Sequence, residues 1–354
     1  MEMNEYDLKL KDLPNLLLPW YEKSRRDLPW RKTKDPYCIW VSEIMLQQTR
    51  VDTVIQRYQL FISELPSVAD LAACNEDELM KLWEGLGYYS RAHNMKKAAQ
   101  IIMEQYAGIF PQDLKQIRDL PGIGDYTAGA ISSIAFGKPV PAVDGNVLRV
   151  LSRYLPSYLD ISLQGTKKYF TELLSPVFPK DASSFTQSLM ELGALICLPN
   201  GFPHCEICPL SEHCTACIDH SWNELPVKTK QSGKKHMYLI VFQIRCGDRI
   251  AIRKRPSSGL LKDMWELPNL VVDEFPRDPS VFLKEQFGIE HSDFSFLGDA
   301  RHVFTHVEWN MRTYSVKALN ENELFLWVSD EELSDYYALP TAFRKLLSIQ
   351  KPEK

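Results

Sequence analysis

The sequence predicts a multidomain protein, with an all-helical N-terminal region followed by an α+β C-terminal domain. Three observations lead to this prediction. The chain has 354 residues, enough for roughly two or three domains. Apolar residues recur at helical intervals up to about residue 220, with no clear run of alternating polar and apolar residues. After Pro226, runs rich in β-branched and aromatic residues replace this pattern.

The composition is that of a globular protein. Hydrophobic residues make up 45% and charged residues 25% of the chain, which excludes a largely disordered polypeptide. No stretch approaches the roughly 18 apolar residues of a membrane span, and the first 13 residues contain no apolar segment of the kind found in signal peptides. Eight cysteines without a secretory signal indicate a reducing compartment, so we expect a cytoplasmic protein.

Several segments of the N-terminal region carry helix signals. Apolar residues of 41–60 are spaced at roughly helical intervals. Asn75 followed by Glu78 has the pattern of an N-cap with its partner, and Ser90 is placed to cap a further helix. A short helix over 113–120 leads into a glycine turn, and another helix follows that turn.

The C-terminal domain shows strand and hairpin signals. Two β-rich runs, 238–244 and 249–253, are separated by a short Cys-Gly-Asp turn. Two further runs have strand character, 303–316 and 324–328. Two others have helical character, 280–287 and 341–349. The basic stretch 226–235 has the composition of a linker. We therefore expect a helical region over 1–220, a linker over 221–235 and a C-terminal domain over 236–354.

Charge is distributed unevenly along the chain. The formal net charge is −5, from 41 basic and 46 acidic residues, which argues weakly against a polyanionic partner. Between Lys228 and Lys262, however, ten basic residues accompany one acid, Asp248, so this stretch carries +9. Two interpretations stay open: a solvated linker and hairpin face, or a surface that follows the phosphates of a nucleic acid.

Five of the eight cysteines lie within 21 residues, at Cys197, Cys205, Cys208, Cys214 and Cys217. Thiols this close together in a reducing compartment are typical of metal ligands. The last four could hold zinc, although their five-residue spacer is shorter than that of the usual zinc ribbon. Four thiolates in a compact loop also suit a [4Fe–4S] cluster, and the spacing alone does not separate the two.

Gly122 and Gly124 lie in a turn between two predicted helices, over 120–124. Two glycines at i and i+2 expose backbone N–H groups beside a helix N-terminus, an arrangement that can bind a phosphate without a charged side chain. An ordinary helix corner, in which glycine only relieves backbone strain, gives the same pattern.

Two carboxylates, Glu43 and Asp144, are candidates for acid–base chemistry. Glu43 lies in an apolar stretch, and burial would raise its pKa enough to hold a proton near neutrality, as a general acid must. Asp144 precedes a predicted helix. The alternatives are a polar helix edge for Glu43 and an N-cap for Asp144, and sequence distance does not say whether the two meet.

Residues 85–91, here called the glycine loop, present Leu86 and Tyr88 beside two glycines. Both side chains could be core residues. They could also form an apolar wedge that enters a stack of bases and helps to extrude a nucleotide. Gln47 and Gln48 could hydrogen-bond bases at the same surface.

Taken together, these motifs resemble the MutY-type adenine DNA glycosylases, endonuclease III-like members of the helix–hairpin–helix superfamily. The stretch 35–49 around Glu43 is highly specific for that family. The glycine loop, the 120–124 turn, the stretch 143–146 and the cysteine run follow in the family's order, and the C-terminal domain is similar to Nudix hydrolases. The resemblance covers nearly the whole chain.

The resemblance implies both a fold and an activity. The fold is an all-α helix–hairpin–helix glycosylase domain, with a six-helix module over about 30–136 and an iron–sulfur module built from 1–29 and 137–220, followed by a Nudix-like α+β domain. The activity is removal of adenine mispaired with 8-oxoguanine, or with guanine, from double-stranded DNA in base excision repair. The implied cofactor is a [4Fe–4S] cluster on Cys197, Cys205, Cys208 and Cys214. We expect a monomer that acts on a bacterial nucleoid and not at a membrane.

The resemblance also implies a role for each matching residue. Glu43 matches the acid that protonates the departing adenine, and Asp144 matches the carboxylate that stabilises or captures the oxocarbenium-like sugar. Tyr126, Asn146 and Arg26 match residues that support this site. Because bond cleavage places negative charge on the base and positive charge on the sugar, one protonated and one ionised carboxyl suit the reaction.

Further matching residues are implied to contact DNA. They are Gln48, Leu86 and Tyr88, which probe or wedge the duplex, Gly122 and Gly124 of the hairpin, and Phe304, Thr305 and His306. The last three, here called the 304–306 turn, match the family's Phe-Ser-His loop that reads 8-oxoguanine.

The sequence departs from the family pattern at a few positions. Seven residues, rather than the usual six, separate Cys197 from Cys205, and Cys217 is an extra thiol. Thr305 replaces serine, and we expect 8-oxoguanine still to be recognised. Tyr126 occupies the place where endonuclease III-like enzymes carry a lysine nucleophile, which predicts a monofunctional glycosylase.

Two alternatives concern the role of whole domains. The segment 282–289, which matches the metal-binding helix of Nudix hydrolases, has one glutamate, so we expect a reader domain and not a pyrophosphatase. A DNA-binding or redox-sensing protein with a cluster would use the same cysteines, hairpin and basic stretch without needing Glu43 and Asp144.

Overall fold

The computed structural model describes residues 5–229 and 233–349. Lys230 of the basic stretch and residues 231–232 of the predicted linker lie outside the described residues, as do 1–4 and 350–354. The chain divides into two compact units: Met1–Ala73 with Asn94–Lys230, and Cys74–His93 with Gln231–Lys354. The glycine loop therefore belongs to the second unit. The domain boundaries expected from the sequence stay a prediction.

Residues 5–229 form helices, as predicted, and contain no strand. Their α-helices are α1 Glu5–Ser24, α2 Pro36–Leu46, α3 Val51–Glu64, α4 Val68–Ala73, α5 Glu76–Leu82, α6 Ser90–Tyr106, α7 Leu114–Arg118, α8 Asp125–Ile134, α9 Gly145–Tyr154, α10 Gln164–Leu174, α11 Ala182–Leu195 and α12 Thr215–Ile218. Among the helices of the described residues, we find none with the length and apolar character that a bilayer crossing requires.

Short polar side chains set where several of these helices begin. Asn75 caps α5 by accepting the backbone N–H of Glu78 at 2.7 Å, as predicted. Asp113 likewise caps α7, whereas Ser90, which was expected to cap α6, is the first residue of that helix. These bonds satisfy backbone donors that have no partner within the first turn of a helix.

The helical pattern of 41–60 is divided between two helices. α2 ends at Leu46 and α3 begins at Val51. Between them Gln48 adopts φ of 58°, a left-handed conformation that a right-handed helix cannot contain. The periodicity of the apolar residues continues through the break, which is why the sequence did not reveal it.

The core of the first unit includes the packing of α1, α9 and α11. Val147 and Leu151 of α9, four residues apart, lie in one buried cluster with Leu13 of α1 and Leu189 of α11. Residues at this spacing share one face of a helix. The packing therefore fixes the position of the N-terminal end of α9, where Asp144 lies.

The C-terminal part of the second unit is built on a seven-stranded mixed sheet with three helices. Their bounds are β1 Lys235–Cys246, β2 Arg249–Lys254, β3 Trp265–Glu266, β4 Asn269–Val272, α13 Val281–Phe287, β5 His291–Val303, β6 Val307–Ala318, β7 Leu326–Ser329, α14 Asp330–Tyr336 and α15 Thr341–Leu347. The strand order is β3-β2-β1-β6-β5, with β4 also paired to β1 and β7 to β2. β1 and β6 are parallel and the other pairs are antiparallel. The predicted α+β domain is confirmed.

β1 is buried on both faces of this sheet. Leu239 and Val241 belong to one apolar cluster, whereas Ile240 and Phe242 belong to the other. A strand covered on both sides reads as a continuous apolar run and not as an alternation.

The run 303–316 was expected to be one β-like segment, and the structure corrects this. β5 ends at Val303, β6 begins at Val307, and the 304–306 turn joins them. β5 itself was not predicted, because it is an edge strand whose residues are mostly exposed or half-exposed and whose register shifts twice against β6. Such a strand lacks the apolar alternation that marks a half-buried one.

Candidate active site

One cleft in the first unit contains both candidate carboxylates. Its volume is about 1180 Å³, and its walls come from α2, α8, α11 and the N-terminal end of α9. Glu43 and Asp144 both line it, as do Tyr126, Asn146 and Arg26. Residues separated by more than a hundred positions in the sequence are thus brought to one concave surface by helix packing.

Glu43 is buried within α2, with 5% of its surface exposed. The Tyr126 hydroxyl donates a hydrogen bond of 2.7 Å to Glu43 Oε2. Burial raises the pKa of Glu43 to about 7; the bond from Tyr126 and the charge of Arg31 act in the opposite direction, and Asp144 adds to the rise. Glu43 can therefore hold and release a proton near neutral pH.

Asp144 is the N-cap of α9 and also faces the cleft. Its carboxylate accepts hydrogen bonds from the Val147 backbone N–H at 2.8 Å and from Asn146 Nδ2 at 2.9 Å. Burial raises the pKa of Asp144 above its ordinary value, while these donors and the charge of Arg149 oppose the rise. Asp144 is therefore both the expected N-cap and a residue of the cleft. The hydrogen bonds that its carboxylate accepts favour the ionised form.

Tyr126 lies in the first turn of α8, directly after the 120–124 turn. Burial raises the pKa of its phenol well above the ordinary value, and the neighbouring Glu43 and Asp144 raise it further. The hydroxyl therefore stays protonated and acts as a donor to Glu43. Met190 Sδ lies 3.9 Å from the same hydroxyl oxygen.

Arg26 is held at the cleft by a buried acid that sequence reasoning missed. Glu191 of α11 accepts from Arg26 Nη2 at 2.6 Å and from Arg31 Nη2 at 2.8 Å. Although burial raises the pKa of Glu191, the hydrogen bonds from the two arginines lower it to about 2. Glu191 is an acid within an apolar helical stretch, the same signal that singled out Glu43.

Arg149 is a second residue that the sequence did not reveal. It is buried in α9 and donates to Asn146 Oδ1 at 2.8 Å, to the Gly193 carbonyl at 2.7 Å and to the Cys197 carbonyl at 2.7 Å. The side chain of Asn146 is therefore fixed on one side by Arg149 and bonded on the other to Asp144. The position of Arg149 three residues after Asn146 is the only sequence signal for this contact.

The structure accounts differently for Gly122 and Gly124, the two glycines of the 120–124 turn. Gly122 adopts φ of 78°, and a Cβ there would come within 2.8 Å of Asn94 Cβ. Gly124 is the N-cap of α8 with φ of −100°, and a Cβ there would meet no protein atom within 4 Å. Neither strain nor packing requires glycine at 124, and glycine is among the residues commonly found at N-caps.

The glycine loop and the 304–306 turn both belong to the second unit. Leu86 is buried, with 4% exposed, whereas Tyr88 is 45% exposed with φ of 47°. The hydroxyls of Tyr88 and Thr305 lie 3.2 Å apart. Phe304 packs against Trp309 with ring centroids 4.9 Å apart, and the His306 carbonyl accepts the Lys235 N–H at 3.0 Å. The core interpretation of Leu86 agrees with its burial, and its wedge role stays a prediction.

In the first unit, Gln48 lines the cleft. Its neighbour Gln47 donates from Nε2 to Thr127 Oγ1 at 3.3 Å. The left-handed backbone at Gln48 is uncommon for a residue other than glycine, and such conformations concentrate at functional sites.

The clustered cysteines surround a second, smaller cavity in the first unit. Its walls include Cys197, Cys205, Cys208, Cys214 and Cys217. All five are free thiols, and Arg153 Nη1 lies 3.2 Å from Cys197 Sγ. Among the described residues, no three side chains of metal-binding type are grouped around a single point. The thiols that line this cavity, with a cation beside Cys197, are of the donor type that an iron–sulfur cluster requires.

Comparisons with known families cover both parts of the chain. Residues 41–176 match the model of the helix–hairpin–helix family described as "HhH-GPD superfamily base excision DNA repair protein". Residues 240–348 match the NUDIX domain.

Several adenine DNA glycosylases are similar to this chain. That of Buchnera aphidicola subsp. Acyrthosiphon pisum (strain APS) is 33% identical over 341 residues, which cover 94% of this chain and 95% of that protein. That of Buchnera aphidicola subsp. Schizaphis graminum (strain Sg) is 38% identical over 264 residues, covering 72% and 74%. The human protein is 29% identical over 407 residues, covering 96% and 74%.

Two solved structures share the fold of the helical part. A thermostable thymine-DNA glycosylase is 32% identical with a TM-score of 0.56, covering 61% of this chain and 100% of that one. Endonuclease III in a non-covalent complex with DNA is 23% identical with a TM-score of 0.53, covering 62% and 99%, a likeness of fold alone.

Proposed function

The chain belongs to the adenine DNA glycosylases, and we propose that it excises adenine mispaired with 8-oxoguanine, or with guanine, by acid-assisted cleavage of the N-glycosidic bond. Adenine removal from DNA in base excision repair, by a DNA N-glycosylase, follows from family membership. The choice of mispair and the mechanism are proposals. The observation that carries the mechanism is the pairing of Glu43 and Asp144 in one cleft with unlike hydrogen-bond partners.

Glu43 supplies the proton. It transfers its carboxyl proton to a ring nitrogen of adenine as the bond to the sugar breaks, so that the electron pair of that bond leaves with a neutral base. A pKa of about 7 leaves much of Glu43 protonated at physiological pH. Tyr126, which donates to the same carboxyl, stabilises the carboxylate formed by the transfer.

The Asp144 carboxylate compensates the positive charge that develops on the sugar. Its carboxylate either stabilises the oxocarbenium-like sugar or forms a covalent bond to it, and water then releases an abasic site. Asn146 and the α9 backbone hold this carboxylate in place. Arg26, fixed by Glu191, supplies positive charge at the wall of the cleft.

DNA binding is assigned to both units. Adenine inside a duplex is inaccessible, so the nucleotide must leave the base stack before cleavage. In this proposal Gly122 and Gly124 present the hairpin to a phosphate, and Gln48, Leu86 and Tyr88 probe or wedge the duplex. Phe304, Thr305 and His306 read 8-oxoguanine. The exposed Tyr88 hydroxyl beside Thr305 supports a shared contact surface for Tyr88 and the 304–306 turn.

The cysteine cavity would hold a [4Fe–4S] cluster on Cys197, Cys205, Cys208 and Cys214. Such a cluster would cross-link a loop that has little regular structure and hold it for DNA binding. No step of base removal is assigned to it. Cys217 lines the same cavity and is proposed to be dispensable.

Three further proposals concern the limits of the activity. Tyr126 in place of a lysine supports a monofunctional enzyme that leaves the strand uncut. The single glutamate of 282–289 supports a reader domain without pyrophosphatase activity. We further propose action as a monomer in the reducing cytoplasm, on the nucleoid of a bacterial cell; cysteines outside any disulfide support the reducing compartment.

The test is single-turnover excision from duplexes that carry adenine opposite 8-oxoguanine or guanine. Wild type should prefer 8-oxoguanine, and Asp144→Asn or Glu43→Gln should lose about 10²-fold to 10⁴-fold in rate with DNA binding retained. Turnover unaffected by Asp144→Asn would overturn the assignment of the reaction to this carboxylate. Strand cleavage with a borohydride-trapped lysine adduct would overturn the monofunctional assignment, and Mg²⁺-dependent nucleoside triphosphate hydrolysis would overturn the reader assignment.

A further inference from the structure

The segment that carries the glycine loop is bonded to the C-terminal part of the second unit at several points. This segment, 74–93, contains α5, the glycine loop and the start of α6. Two acids of the segment, Asp77 and Glu84, bond to residues beyond position 250. Neither acid belongs to the catalytic cleft or to the residues assigned to DNA.

Glu84 is the more deeply buried of the two acids, with 3% of its surface exposed. One carboxylate oxygen accepts the backbone N–H of Leu339 at 3.2 Å and also pairs with Arg344 of α15. The other oxygen pairs with Lys81 at 2.9 Å. A buried carboxylate with two cations and a backbone donor is costly to disrupt, because loss of a partner would leave the desolvated carboxylate less well compensated.

Asp77 makes a second connection at the other end of α5. Its Oδ1 accepts from Lys254 Nζ at 2.9 Å and from Trp265 Nε1 at 3.0 Å. Lys254 also lies 5.3 Å from the centre of the Trp265 ring. Both ends of α5 are therefore attached, and the helix cannot pivot about a single contact.

The glycine loop that follows Glu84 is stiff. Trp83 Nε1 donates to the Gly87 carbonyl at 3.1 Å. Arg91 Nη2 donates to the carbonyls of Leu86 and Gly87 at 2.9 and 3.0 Å, and its guanidinium lies over the rings of Trp83 and Tyr88. A displacement of Glu84 would therefore carry Tyr88 with it.

We propose that Glu84 is a positioning residue for mispair discrimination: its bonds to Leu339 and Arg344 place the glycine loop so that Tyr88 meets Thr305 of the 304–306 turn. The residue that probes the duplex and the residue that reads the opposite base then act from one rigid surface. This inference rests on the proposed function, because it concerns how two groups that the proposed function assigns to DNA, the glycine loop and the 304–306 turn, are held relative to each other. It predicts that discrimination, and not bond cleavage, depends on Glu84.

The experiment compares Glu84→Gln, Arg344→Gln and the double variant with wild type. Single-turnover rates are measured on duplexes with adenine opposite 8-oxoguanine and opposite guanine, and thermal unfolding is recorded for each protein. We expect the preference for 8-oxoguanine to fall about tenfold in each single variant, with the rate on the guanine mispair unchanged. The double variant should lose no more than the single ones, because the two residues act as one pair. Glu78→Gln, an exposed acid of the same helix, is the matched control and should keep the wild-type ratio.

The outcomes separate this inference from the proposed function. A wild type without any preference for 8-oxoguanine contradicts the proposed function. A wild type with the preference, and variants that keep it while unfolding at a lower temperature, shows that Glu84 only stabilises the fold and overturns the inference. Equal loss of rate on both duplexes overturns it as well. If Glu84→Gln does not fold, Arg344→Gln decides, because Arg344 is about half exposed, at 47%.

Discussion

The Tyr126 hydroxyl donates to Glu43 Oε2 across 2.7 Å, and this bond links the helix after the hairpin to the acid of α2. The other buried residues of α2 are mostly apolar, among them Ile39 and Ile44. Burial without a cation in direct contact leaves the carboxyl poised between its two protonation states. We therefore expect both the rate of excision and the stability of the fold to depend on the protonation state of Glu43.

Excision should slow as the pH rises through about 7. Burial raises the pKa of Glu43 from 4.5 to about 7, so the proton donor is lost above that pH and the single-turnover rate should fall about tenfold per pH unit. The measurement is a pH–rate profile on a saturating duplex. Glu43→Gln should be slow and should lack this alkaline limb. An inflection near 4.5 in the wild type would show that Glu43 is not the proton donor.

The same carboxyl should weaken the fold at neutral pH. Its folded pKa lies above its unfolded value, so the stabilising contribution of the bound proton is fully present below about 4.5 and is lost as the pH rises through about 7. Glu43→Gln keeps an oxygen to accept from Tyr126 and removes this titration. Thermal unfolding should show the variant to be more stable than wild type at pH 8, by about 1 kcal/mol or more, with a smaller difference at pH 4. Equal differences at both pH values would contradict this account.

Tyr126→Phe should move the alkaline limb to higher pH. The Tyr126 bond lowers the pKa of Glu43, so its removal should raise that pKa by about one unit, the equivalent of one hydrogen bond to a charged group. The maximal rate should fall, because the carboxylate formed by proton transfer loses its donor. The pH–rate profile of the variant, beside that of wild type, is the measurement. A limb that moves to lower pH would mean that Tyr126 acts on some other group.

Cys208→Ser and Cys217→Ser should behave differently. Both thiols line the cysteine cavity, but only Cys208 belongs to the proposed ligand set. Cys208→Ser should lose iron, visible absorbance and thermal stability after anaerobic purification. Cys217→Ser should keep wild-type iron content and colour, and zinc in place of iron in the wild type would refute the cluster.

The catalytic pair could be predicted from sequence more readily than the residues that hold it. Glu43 is conspicuous as an acid within an apolar stretch, and Asp144 as an acid before a helix. Their meeting in one cleft depends on the packing of α2, α8, α9 and α11, which no local pattern encodes. The roles predicted for the site residues still rest on the experiments above.

The supporting residues were missed because their partners come from distant parts of the chain. Glu191 positions Arg26 and Arg31, which lie about 160 positions earlier, by accepting their hydrogen bonds. Arg149 acquires its role from the carbonyls of Gly193 and Cys197. In each case the residue type alone predicts only a charged helix position.

Gly193→Ala should slow excision although it adds a better helix former. In an ordinary helix this change stabilises by about 1 kcal/mol. Here the added Cβ would lie 2.6 Å from Asn146 Cβ, so α9 and α11 must separate or Asn146 must move, at a cost of about 1–3 kcal/mol. Either response disturbs the bond from Asn146 to Asp144. Gly165→Ala, in α10 with open space around its Cβ, is the stability control and should unfold at an equal or higher temperature. A Gly193→Ala protein that is both more stable and fully active would show that Asn146 does not need this contact with α11.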